Sequence, residues 1–60
     1  MNVERSSLWT LREVAAYLRL HPKTVQRFAR EKGLPCVRLG GRLRFDADDV
    51  HAWVSARKER

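Results

Sequence analysis

Lys23, Thr24, Gln26 and Arg27 fall within one five-residue stretch and carry side chains able to read the edges of bases. A guanidinium can bridge guanine O6 and N7, and a carboxamide can pair with adenine N6 and N7. The residues with reactive side chains point nowhere comparable. His21, Cys36 and His51 are scattered over about thirty residues, without the Cys-x2-Cys or His-x3-His spacings of a zinc site. A Cys–His nucleophilic pair would need an orienting third group and an oxyanion site, and no pattern supplies either. Gly40-Gly41 precedes a strand-like run, not a helix, so it is no phosphate-binding loop. No metal, no cofactor and no enzymatic activity are expected.

Charge supports the polyanion reading. The net charge of the 60 residues is +6, but its distribution matters more. Residues 1–18 are neutral and residues 45–60 carry −1. Residues 19–44 hold eight Lys and Arg against Glu31 alone, a net of +7. A face kept charged for solubility would mix both signs; a concentrated basic patch suits phosphate neutralisation and counterion release. Within it, Arg30, one turn beyond Arg27, suits phosphate. So do Arg38, Arg42 and Arg44, with Asp48 and Asp49 as competing intramolecular partners for Arg38 and Arg44. Arg12 and Arg19, near the entry to the turn, add two backbone candidates.

These side chains need elements to hold them. Sixty residues allow one small domain, read as residues 8–60 after a flexible lead over residues 1–7. Thr10 with Glu13 makes a capping box, Trp9 and Val14 have staple spacing, and Leu11, Val14, Ala15 and Leu18 form one apolar stripe. After a turn at Arg19-Leu20-His21, Pro22 opens a second helix that stops at Gly33, with Val25, Phe28 and Ala29 inward. Lys23, Thr24, Gln26, Arg27 and Arg30 are left on its outer faces. From Cys36 to Phe45 the period changes to two around Gly40-Gly41, which predicts a hairpin. A three-residue loop, Gly40-Gly41-Arg42, would pair Leu39 with Leu43 and Val37 with Phe45 on one buried face, and Arg38 with Arg44 on the other. Arg42 would then sit at the wing tip, suited to a narrow minor groove. Asp46 caps a third helix in which Val50, Trp53 and Val54 face inward, with Arg57 and Lys58 near its end. Trp9 and Trp53 lie at core positions, and Tyr17 beside the core stripe is expected to pack there. The fold class predicted is mainly α with a small β-hairpin, a winged helix-turn-helix.

In order and content this pattern resembles the excisionase-like and MerR-like winged helix-turn-helix domains. The residues that carry the resemblance are Thr10-Leu11-Arg12-Glu13-Val14-Ala15 with Leu18, Thr24-Val25-Gln26-Arg27-Phe28 and Gly33-Leu34-Pro35. Arg38-Leu39-Gly40-Gly41-Arg42-Leu43-Arg44-Phe45 and Asp49-Val50 with Trp53 complete the set. His21 stands where such domains usually have a Ser or Thr cap, and Phe28 where Trp is frequent.

The resemblance implies sequence-specific binding of double-stranded DNA, with the second helix in the major groove and the wing in an adjacent minor groove. It implies either a recombination directionality factor or a small transcription regulator. A basic protein-interaction module is the alternative from another class. Expected partners are duplex DNA, an integrase or recombinase, and further copies of the chain on DNA. The chain is expected to be monomeric in solution, off the membrane, and cytoplasmic at the nucleoid, without the dimerisation helix of full MerR regulators. One cysteine and no long apolar segment suit that compartment.

Overall fold

The structure is a computed structural model that describes residues 8–58; the expected lead over residues 1–7 lies outside the described residues. The chain runs β1 (Leu8–Thr10), α1 (Leu11–Leu18), α2 (Pro22–Glu31), β2 (Val37–Leu39), β3 (Arg42–Asp46) and α3 (Ala47–Ala56). Among the described residues, three helices and a small antiparallel sheet make a winged helix-turn-helix, mainly helical.

Each helix starts where its capping chemistry predicts. Thr10 Oγ1 accepts the Glu13 N–H at 3.1 Å, and Glu13 Oε1 accepts the Thr10 N–H at 2.8 Å, a complete capping box. At α2 the departure from a Ser or Thr cap is met by the imidazole: His21 Nδ1 accepts the Lys23 N–H at 3.0 Å, with Pro22 at the first helical position. Asp46 Oδ1 accepts the N–H groups of Asp48 and Asp49 at 2.8 and 3.3 Å, and both of those carboxylates lie in the first turn of α3.

The turn between α1 and α2 is closed by a Schellman pair, Arg19 N–H to Ala16 O at 3.2 Å and Leu20 N–H to Ala15 O at 2.9 Å. That geometry puts Arg19 at φ 59°. Beyond α2, Gly33 at φ 74° folds the chain back, so that Leu34 N–H reaches Phe28 O at 3.3 Å and the Leu34 side chain is buried.

The wing differs from expectation in two ways. It has a third strand: β1 pairs with β3, giving the order β1-β3-β2, with Trp9 opposite Phe45. A three-residue strand is too short to show a period, and residues 8–10 read only as the approach to a helix cap. The second difference is register. Val37 pairs with Arg44, Arg38 with Leu43 and Leu39 with Arg42, so the loop is Gly40-Gly41 alone, not Gly40-Gly41-Arg42. Arg42 is thus the first residue of β3 beside the tip, and Arg38 does not face Arg44. Gly40 at φ 57° and Gly41 at φ 82° are both left-handed, the arrangement of a two-residue turn whose twist matches its strands. That torsional match prevails over burial: Val37 and Leu39 stay 48% and 52% exposed.

The core takes side chains from every layer: Val14 and Ala15 of α1, Val25 of α2, Leu34, Phe45 of β3 and Val50 of α3. Trp9, Leu11, Leu18, Phe28, Ala29, Leu43 and Trp53 are half-buried around it. Only this packing brings the wing and α2 together.

Candidate nucleic-acid interface

A groove of about 520 Å³ lies between the start of α1, the middle of α2 and the wing. Its polar lining is Thr10, Arg12, Gln26, Arg38, Arg42 and Arg44. An adjoining hollow of about 290 Å³ is lined by Gln26, Ala29, Arg30, Cys36, Arg38 and Leu43, so Gln26, Arg38 and Leu43 border both. The wide groove therefore gathers four guanidinium-bearing residues and no carboxylate. Local sequence explains the arrangement. Arg12 sits in the first turn of α1 next to its cap, Gln26 faces outward between the inward Val25 and Phe28, and the wing arginines follow strand alternation.

The expected base-reading residues share the exposed side of α2. Lys23, Gln26 and Arg27 are exposed, whereas Thr24 is half-buried. The Arg27 guanidinium lies 5.7 Å from the Phe28 ring centroid, and Arg30 is exposed one turn on. Arg19 stands apart from both hollows, at the turn between α1 and α2. On the wing, Arg42 shares a face with Leu39, and Arg44 shares it with Val37, while Arg38 lies on the opposite face with Leu43.

Among the described residues no ion pair joins Arg38 or Arg44 to Asp48 or Asp49. Asp46 spends its oxygen on the α3 cap, and Arg44 Nη1 donates instead to the Leu43 carbonyl at 2.8 Å. Among the described residues, the ion pair of Arg30 with Glu31 at 3.8 Å joins two exposed side chains and holds neither firmly. No carboxylate among the described residues pairs with Arg12, Arg38, Arg42 or Arg44.

The three reactive residues occupy separate settings. His21 caps α2, Cys36 is exposed beside Arg30 and Arg38, and the His51 ring packs 5.6 Å from Trp9 and 5.2 Å from Tyr17. Tyr17, expected to pack on the core, is 48% exposed and leans on Trp9 and His51 instead. Sequence reasoning passed over one support of α2. Trp53 Nε1 and Arg57 Nη2 both donate to the Lys32 carbonyl, at 3.0 and 2.8 Å. The i, i+4 spacing of Trp53 and Arg57 was the available signal.

Among the described residues no helix is long and apolar enough to cross a membrane. Among curated proteins, none matches the chain significantly. Residues 10–58, from the α1 cap through the turn, α2, the wing and α3, match the family model of a helix-turn-helix domain, and the chain belongs to this excisionase-like, DNA-binding family.

Proposed function

We propose that the domain binds double-stranded DNA sequence-specifically, with α2 in the major groove and the wing on the neighbouring minor groove and backbone. Lys23, Thr24, Gln26 and Arg27 read bases; Arg12, Arg19, Arg30, Arg38, Arg42 and Arg44 meet phosphates or, for Arg42, the minor groove. The observation that carries this reading is the acid-free groove lined by Arg12, Arg38, Arg42 and Arg44 beside the outer face of α2. A duplex backbone supplies the charge such a groove lacks.

The expected physiological role is that of an excisionase-type recombination directionality factor, acting in the cytoplasm at the nucleoid as a monomer that associates on DNA, with a recombinase as partner. A transcription regulator using the same domain is the second reading. The position of bound sites separates them: attachment sites beside a recombinase gene support the first, promoters the second.

Binding is tested by titrating a labelled duplex across a salt series. With about five or six phosphates neutralised by these arginines, log K falls against log salt with a slope near −5. Arg38→Ala lowers affinity for all duplexes alike and flattens the slope by about one, whereas Arg27→Ala relaxes sequence preference. A flat salt response, or equal competition by heparin and duplex DNA, overturns the sequence-specific reading.

A further inference from the structure

We infer that Arg57 is a positioning residue for the recognition helix: it locks the C-terminal end of α2 to α3 and thereby sets the angle at which α2 presents Gln26 and Arg27. The inference rests on the DNA-binding reading, but its structural half can be scored without DNA.

The last carbonyls of a helix have no partner within it. Lys32, the residue that closes α2, solves this with one donor from α3 and one from Arg57, the residue that closes α3. Trp53 Nε1 donates to its oxygen at 3.0 Å and Arg57 Nη2 at 2.8 Å. The other arm of the same guanidinium, Nη1, donates to the Trp53 carbonyl at 3.3 Å. Its Cζ lies 4.1 Å from the centroid of the Trp53 ring, within cation–π range. The same ring also lies beside Phe28 of α2, with centroids 5.7 Å apart and planes tilted by 40°. Phe28, Trp53 and Arg57 thus form one chain of contacts from the inner face of α2 to its closing carbonyl. A positive charge at that end also suits the helix dipole.

The recognition helix is therefore held at three points. His21 caps its start, Val25 is fully buried in its middle, and the Trp53–Arg57 pair grips its end. A ten-residue helix is about 15 Å long, so a loose end swings the outer face carrying Gln26, Arg27 and Arg30. The grip is at the surface, since Arg57 and Lys32 are both exposed. Its loss accordingly loosens the end of α2 more than it unfolds the domain. A planar fork can bridge two carbonyls while stacking on an indole; an ammonium cannot do all three.

The test compares the full chain with R57A and R57K. In the free protein, amide exchange over residues 30–34 is expected to accelerate in both variants while α1 keeps its protection. On DNA, the probes are a duplex enriched from a random-sequence pool by the unaltered chain and a scrambled duplex of equal length. Both variants are expected to lose about tenfold of the preference between these duplexes, equivalent to about 1.4 kcal/mol, with the salt slope unchanged. If Arg57 were itself a phosphate contact, R57A would flatten the slope by about one and R57K would restore it. That result, or unchanged exchange at the end of α2, overturns the proposal. Failure of the unaltered chain to bind duplex DNA removes the DNA reading instead, and the exchange arm still decides the clamp.

Discussion

Arg19 holds a left-handed backbone at φ 59° in the turn where glycine would sit without strain. An L residue there costs about 1–2 kcal/mol, part of which glycine returns as greater freedom of the unfolded chain. Arg19→Gly is therefore expected to stabilise the domain by up to about 1 kcal/mol, a rise in melting temperature of about 4–8 °C for a chain of this size. The same change should weaken duplex binding and flatten its salt slope by about one, because Arg19 is assigned to the DNA backbone. Thermal melts and salt titrations check the two halves separately. A lower melting temperature would mean that the arginine side chain itself holds the turn. At this scale much was legible beforehand. Thr10, Glu13, Pro22, Gly33 and Asp46 act where their types suggested, since each meets a partner within a few residues. His21 as a cap was not, because imidazole is an uncommon acceptor at that position.

At the scale of elements, the wing register rests on a torsional preference. A Cβ built on Gly40 or Gly41 would meet no atom within 4 Å, so only backbone strain opposes a side chain there. Gly41→Ala is expected to cost about 1–2 kcal/mol. A D-alanine at position 41 in a synthetic chain should instead equal or exceed the parent in stability, since φ 82° is natural to it. Equal destabilisation by both alanines would argue against a two-residue turn. The expected three-residue loop followed from a sound rule, that apolar side chains share a buried face. The observed register instead follows the two glycines, whose paired left-handed torsions close a two-residue turn with Leu39 opposite Arg42. The correction places Leu39 with Arg42 and Val37 with Arg44, so the outer face of the wing is both apolar and basic.

The whole molecule depends on a very small core. A domain of this size has about 3–5 kcal/mol of net stability, and Phe45, at 0% exposure, touches the centre of it. Phe45→Ala should cost about 3–5 kcal/mol and leave the chain largely unfolded at room temperature, with loss of the helical circular dichroism signal and of DNA binding. A cooperative melt in that variant would show that the sheet and helices hold together without it. By itself, the sequence determined the three helices, their caps, the inward stripes and the +7 charge over residues 19–44, because those depend on partners one turn away or on composition alone. Only the tertiary structure decided the third strand, the wing register, the meeting of Arg12, Arg38, Arg42 and Arg44 at one groove, and the grip of Trp53 and Arg57 on Lys32. The physical reason is distance along the chain: Trp53 and Lys32 are 21 residues apart, and such contacts form only once the shared core has set the elements against one another.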